Sequence, residues 1–124
     1  MFHIKQMSTQ LQVTDLERAI KFYTQKLGFE VQFRFEDFYA GIFKDGCFIH
    51  LKLNDQPATP KADEALELML TIDNIRQVYE ELSARGIHFT QTLRQMPYGS
   101  EFYIADPDGN VIAFFEDINL DDEE

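Results

Sequence analysis

Residues 13–31 read V-T-D-L-E-R-A-I-K-F-Y-T-Q-K-L-G-F-E-V, and residues 71–89 read T-I-D-N-I-R-Q-V-Y-E-E-L-S-A-R-G-I-H-F. At this offset of 58, Asp15 meets Asp73, Ile20 meets Val78, Gly28 meets Gly86 and Val31 meets Phe89. A second matched pair follows, because D-G-C-F-I-H-L from Asp45 returns as D-G-N-V-I-A-F from Asp108. Self-similarity at such a period marks a duplicated supersecondary unit, too small to bury its apolar face alone. The expectation is one pseudo-symmetric domain over residues 1–124, with any site lying where its halves face each other.

Within the first copy, Met7–Val13 reads as a short strand, and Thr14 opens a helix with Glu17 three residues on in a capping-box arrangement. Leu16, Ile20, Tyr23 and Leu27 recur at helical spacing, Ala19 and Phe22 widen the stripe, and Gly28 stops it. Strands follow at 29–35, 39–44 and 47–53, the last two joined by Asp45-Gly46, a dipeptide that favours a two-residue hairpin. Residues 54–65, with Pro57 and Pro60, read as a linker. The second copy repeats the order: a strand at 66–72, a capped helix at 73–85 ending at Gly86, then strands at 87–93, 101–105 and 110–116. Asp106-Pro107-Asp108-Gly109 makes the last reverse turn. The predicted fold is α+β. Two tandem β-α-β-β-β modules, at about 7–53 and 66–117, form a curled mixed sheet of half-barrels around a cleft, with the helices outside.

At 124 residues and 44% hydrophobic, the chain is sized for a single globular domain. No run approaches the ~18–20 apolar residues of a membrane span. The start M-F-H-I-K-Q lacks the basic-then-apolar pattern of a signal peptide, so a cytoplasmic protein with no membrane partner is expected. Acids outnumber bases 22 to 11, and five of the acids lie in the stretch 117–124, so residues 118–124 read as a frayed acidic tail. The remaining excess still argues against nucleic acid, which needs a basic footprint, and it suits a cationic ligand. The single cysteine, Cys47, has no partner for an internal disulfide or a metal knuckle and reads as a small apolar strand residue.

Aromatic residues make up 14% of the chain, and Phe33, Phe35, Phe38, Tyr39 and Phe43 fall close together. Flat faces of this kind suit stacking on planar or cationic groups. Strand alternation must send some of the set inward, and Phe35 and Phe43 are assigned to the core. Glu101 and Tyr103 alternate with Phe102 and Ile104, which assigns the polar pair to the cleft, Glu101 as a negative charge and Tyr103 as a hydroxyl. His3 and His88 read as surface histidines.

Taken together, D-L-E-R-A-I-K-F-Y-x₃-L-G-F at Asp15–Phe29, the doubled β-α-β-β-β unit and the D-P-D-G-N-V-I-A-F ending resemble the vicinal oxygen chelate superfamily. That group includes glyoxalase I, extradiol dioxygenases, fosfomycin-resistance enzymes and bleomycin-resistance proteins. The resemblance runs from about Ser8 to Glu116. Metal-using members place four ligands on cleft-facing strand positions, which correspond here to Ser8, His50, Glu67 and Ala113. A methyl at Ala113 donates nothing to a cation and Ser8 offers only a hydroxyl, so no metal and no cofactor are expected. His50 and Glu67 leave three readings open: a loosely held metal completed by waters, a hydrogen-bonded pair in a ligand cleft, or structural filler.

Within the superfamily, E-D-F-Y-A-G-I-F-K-D-G at Glu36–Gly46 and P-Y-G-S-E-F-Y-I-A-D-P-D-G-N at Pro97–Asn110 look most like the bleomycin-resistance proteins. Those bind a bulky cationic glycopeptide without modifying it. The resemblance implies that aromatic residues at Phe33, Tyr39 and Tyr98 line a ligand groove, although the family favours Trp at the position of Tyr98. Adding the residues singled out above, the expected ligand-binding set is Phe33, Phe38, Tyr39, His50, Glu67, Tyr98, Glu101 and Tyr103. The expected function is sequestration of a cationic or aromatic small molecule, as in antibiotic resistance, by a homodimer, the dimer being implied by the resemblance alone. Two alternatives stand beside it: a metal-dependent glyoxalase, lyase or dioxygenase with a reduced site, and metal-free acid–base catalysis by His50 or Glu67.

Overall fold

Six of the residues in the stretch that opens the repeat, Leu16, Ala19, Ile20, Phe22, Tyr23 and Leu27, are buried. They lie on one stripe of a helix and draw it onto a sheet. A computed structural model describes residues 1–54 and 66–118. Its elements are β1 (Ser8–Val13), α1 (Leu16–Lys21) running into a π-helical turn (Phe22–Lys26), β2 (Glu30–Phe35), β3 (Tyr39–Lys44), β4 (Cys47–Leu53), β5 (Leu68–Thr71), α2 (Ile75–Ala84), β6 (His88–Met96), β7 (Gly99–Ala105) and β8 (Val111–Asp117). The chain divides into two compact units, Met1–Pro60 and Lys61–Glu124. Each described unit has one helix and one open four-stranded sheet, ordered β1-β4-β3-β2 in the first and β5-β8-β7-β6 in the second. The outermost pairing is parallel and the rest antiparallel in both sheets. The α+β class and the repeated order of elements are as the sequence predicts. Residues 55–65 of the expected linker and 119–124 of the expected tail lie outside the described residues.

The helix ends differ from the sequence reading in ways that chemistry explains. Asp15, rather than Thr14, caps α1, its carboxylate accepting from Arg18 N at 3.0 Å. A charged acceptor one residue later displaces the hydroxyl, and Glu17 turns instead to Arg34 at 2.7 Å. At the other end, Thr24 Oγ1 donates back to the carbonyl of Ile20 at 2.8 Å, where the helix widens into its π-turn. Asp73 does not cap α2. Asn74 stands there with φ 55°, and the N–H groups of Asn74 and Ile75 are taken by the Glu116 carboxylate from β8, at 2.8 and 3.4 Å. An acid at that helix start also complements its dipole.

The turns follow the sequence reading closely. Asp45 and Gly46 both have positive φ, 48° and 81°, as a type I′ hairpin requires, and Lys44 pairs with Cys47 across them. Asp106 organises the final turn. Its Oδ1 accepts from the backbone N–H of Asp108 and of Asn110, and its Oδ2 from Asn110 Nδ2, all at 2.9 Å. Gly109 N closes the turn on the Asp106 carbonyl at 3.0 Å. Asp106 and Asn110 are buried, so D-P-D-G-N is a structural device that sets β7 against β8.

Alternation along the strands gives each sheet two unlike faces. In the first unit Leu11, Val13, Ala40, Ile42, Ile49 and Leu51 are buried on the α1 side. In the second, Phe102, Ile104, Ile112 and Phe114 do the same beneath α2, where Tyr79 packs on Phe89 and Phe102 with ring centroids 4.7 and 5.2 Å apart. The helix-free faces carry Phe33, Tyr39, His50, Glu101 and Tyr103. Replacing Asp106 with Ala strands three donors in a buried turn, and the variant should lose about 2–4 kcal/mol of stability in urea denaturation at an unchanged slope. A loss below about 0.5 kcal/mol would show that the turn does not depend on this carboxylate.

Candidate functional site

Gln10, His50, Gly41 and Phe33 form one row across β1, β4, β3 and β2, on the face that α1 does not cover. Gly41 is the bare position in that row. A Cβ built on it would press on Phe33 Cε2 and stand 2.8 Å from Phe33 Cζ, so only glycine lets the ring lie across the strand. Seated there, Phe33 stacks on Tyr39 with centroids 6.0 Å apart and planes 13° from parallel, and meets the edge of His50 at 5.2 Å. Tyr39 and His50 complete the cluster at 5.5 Å. Phe33 stays 37% exposed, so part of its face is open to a partner.

Polar bonds lock the cluster. Gln10 Nε2 donates to Tyr39 Oη at 3.1 Å, and Oη lies 2.9 Å from His50 Nδ1. His50 Nε2 is buried and has no hydrogen-bond partner among the described residues. The hydrogen bond of His50 Nδ1 thus runs to Tyr39 in its own sheet. Phe38 lies beyond this cluster, in the β2–β3 turn, 46% exposed and edge-on to Phe35 at 5.6 Å. Phe35 and Phe43 are not core residues as expected. Phe35 is 62% exposed because β2 is an edge strand with every residue exposed, and Phe43, half-buried, stacks on Phe48 on the helix-free side. The buried side of β3 belongs to Ala40 and Ile42.

In the second unit the equivalent row is Met69, Ala113, Tyr103 and Gln91. Glu101 and Tyr103 lie on the helix-free face, and Glu101 does not offer a free negative charge there. It is buried, and Arg94 donates to its Oε2 from Nε at 2.9 Å and from Nη2 at 2.6 Å. Tyr103 Oη donates to the same oxygen at 3.1 Å, and Tyr98 Oη to Oε1 at 3.4 Å. A carboxylate taken out of water needs such partners. Burial pushes the Tyr103 phenol up, and its hydrogen bond and proximity to Glu101 add to the shift. Arg94 also reaches Gln91 Oε1 at 3.2 Å and lies over the Tyr103 ring, 5.7 Å from its centroid. Three of these residues were legible in the sequence; Arg94 was not, because two register shifts in β6 bring it opposite Glu101.

The four positions that correspond to superfamily metal ligands do not make a donor set. Ser8 is exposed, and its hydroxyl accepts from Gln6 Nε2 at 2.7 Å. Ala113 is buried and brings only a methyl. Glu67 is half-buried at the start of the second sheet, its backbone N–H bonded to the Val111 carbonyl at 2.8 Å. No group of three or more His, Cys, Asp or Glu suited to a metal ion occurs among the described residues. With Ala113 donating nothing and Ser8 only a neutral hydroxyl, a dehydrated divalent ion would lack the oxygens and nitrogens it needs. His3 and His88 are both exposed. Cys47 is half-buried at the start of β4, and burial pushes its thiol up, away from reactivity. A polar groove of about 800 Å³ beside the start of α2 is lined in part by Asn74, Arg76, Glu80, Gln95 and Glu116. It is open to solvent, and the helix N–H groups that would draw an anion there are already held by Glu116.

The profile of the Glyoxalase/Bleomycin resistance protein/Dioxygenase superfamily matches residues 3–114. The chain belongs to this superfamily. It is 28% identical over 124 aligned residues to proteins named bleomycin resistance protein from Geobacillus stearothermophilus and Staphylococcus aureus, an alignment covering 87% of this chain and 93% of each relative. Among solved structures it resembles TnmS3, an antibiotic binding protein from Streptomyces sp. CB03234, with a TM-score of 0.73 and 25% identity, covering 95% of this chain and 99% of that one. A superfamily protein from Alicyclobacillus acidocaldarius shares the fold at a TM-score of 0.79 and 20% identity, covering 93% and 92% of the two chains.

Two outcomes test this geometry. Gly41→Ala should keep the fold by circular dichroism but abolish the nuclear Overhauser contacts between the Phe33 and His50 rings; persistence of those contacts would mean that Gly41 does not seat the ring. For Tyr103, a native pKa above the unfolded value near 10 means that the folded state holds the phenolic proton more tightly. The associated stability is present below about pH 10 and is lost as pH rises through the native pKa. Tyr103→Phe should therefore flatten the alkaline fall in stability measured by urea denaturation between roughly pH 8 and 11.

Proposed function

We propose that the protein binds and sequesters a small molecule bearing a flat aromatic or cationic group, without a metal and without chemical turnover. The observation that carries this reading is the Phe33 ring seated on Gly41 and stacked with Tyr39, part of its face exposed on the helix-free side of the first sheet. Binding sites of this kind are largely apolar with a few aimed polar groups, and here His50 supplies one. An aromatic face attracts planar groups by stacking and cations through its quadrupole. The chain's net charge of −11 favours the approach of cations. Tyr98 and Tyr103 supply further aromatic surface in the second unit, whereas Glu101 serves mainly to hold Arg94 and both tyrosine hydroxyls. The names of the relatives support the same reading, because they include bleomycin resistance proteins and an antibiotic binding protein. We further propose that the protein acts in the cytoplasm as a homodimer. No described helix is long and apolar enough to cross a membrane.

The test is titration calorimetry with metal-free bleomycin and, separately, ethidium, in buffer containing EDTA. Saturable binding of at least one of them is expected, and Phe33→Ala should weaken it about tenfold or more, the usual scale for truncating a buried aromatic anchor. Absence of heat with both compounds would overturn the reading. So would binding that appears only when a divalent metal is added back.

A further inference from the structure

Counting donors along Gln10, Tyr39 and His50 assigns the hydrogens of the chain. Gln10 donates an amide N–H to Tyr39 Oη at 3.1 Å, and that oxygen lies 2.9 Å from His50 Nδ1. A phenol has one hydrogen to give. With Gln10 donating to Oη, the phenolic hydrogen is left for Nδ1, since Oη has no other hydrogen-bond partner among the described residues. A neutral imidazole that accepts at one nitrogen carries its hydrogen on the other. That other nitrogen, Nε2, is buried and has no partner among the described residues. Native proteins rarely leave a buried N–H unmatched, and the exceptions cluster where a ligand or water completes the bond.

We infer that Gln10 and Tyr39 hold His50 as its Nε2–H tautomer, so that the site presents a fixed hydrogen-bond donor beside the Phe33 and Tyr39 rings. The ligand is then a flat aromatic compound with a carbonyl, carboxylate or similar oxygen acceptor next to its ring system. This ligand class rests on the sequestration reading above; the tautomer does not. The same assignment removes from Nε2 the lone pair that a metal would need. In this role His50 contacts the ligand, and Gln10 and Tyr39 are the positioning residues that set its state.

The tautomer is read directly from two-bond proton–nitrogen correlation spectra of protein labelled with ¹⁵N-histidine. The wild type should show the Nε2–H pattern for His50. Gln10→Glu, a change at an exposed position, should reverse the relay, because a carboxylate takes the phenolic hydrogen and leaves Oη to accept from an Nδ1–H. An Nδ1–H pattern in the wild type, or no change in Gln10→Glu, would overturn the assignment. The ligand class is tested separately in the wild type with 2-acetylnaphthalene and 2-ethylnaphthalene, which differ chiefly in the acceptor. About tenfold tighter binding of the acetyl compound is expected, and His50→Phe should abolish the difference. Equal affinities would overturn the acceptor requirement while leaving the stacking site standing. Failure of both probes to bind would count against the stacking site itself and remove the ligand class with it.

Discussion

The missing side chain at Gly41 is the constraint on which the first unit's helix-free face depends. Because β3 carries no Cβ there, the Phe33 ring crosses from the edge strand β2 and lies on the sheet beside Tyr39 and His50. A larger residue would push the ring outward, leaving the histidine without Phe33 beside it. The edge position of β2 then has a use. All its residues are exposed, and Phe33 is held in place by the row it joins rather than by burial. Edge strands are exposed to unwanted pairing, and on β2 charge partly guards against it, since Arg34 is tied to both Glu17 and Asp37.

The second unit shows what happens when the same row is filled differently. Tyr103 stands where the first unit has Gly41, Ala113 where it has His50, and Gln91 where it has Phe33. No ring can lie across the strand, and the space is used for a polar cluster. Arg94, Tyr98 and Tyr103 converge on one buried carboxylate. Removing one member of such a cluster leaves an unpaired charge in a poorly solvated place, so it holds its side chains rigidly. Duplication has therefore produced one face with a part-exposed aromatic ring beside a buried histidine nitrogen, unpartnered among the described residues, and another whose charge is satisfied internally.

Much of this architecture was legible from the repeat, because helix stripes and turn dipeptides are local signals. Asp45-Gly46 forms the hairpin as read, and the buried stripe of α1 is the periodic one. The misreadings came from interactions that cross long stretches of chain. Glu116 reaches the start of α2 from β8, and no spacing rule near Asp73 could reveal that. The assignment of Phe35 and Phe43 to the core failed because alternation says that neighbouring residues face opposite ways, but not which way is inward. Ala40 and Ile42, small and branched beneath α1, decide it. Of the cluster that makes up the candidate site, Phe33, Tyr39 and His50 are legible as residue types, whereas a glutamine at 10 and a glycine at 41 inside strands carry no chemical signature until the register aligns them.

The account's central claim is that ligand binds on the Gly41 row. Amide chemical-shift mapping of metal-stripped, ¹⁵N-labelled protein during titration with bleomycin tests it most directly. The largest changes should fall on Gln10, Phe33, Tyr39, Gly41 and His50. Changes confined to the groove beside α2, at Asn74, Arg76, Glu80 and Gln95, would contradict it.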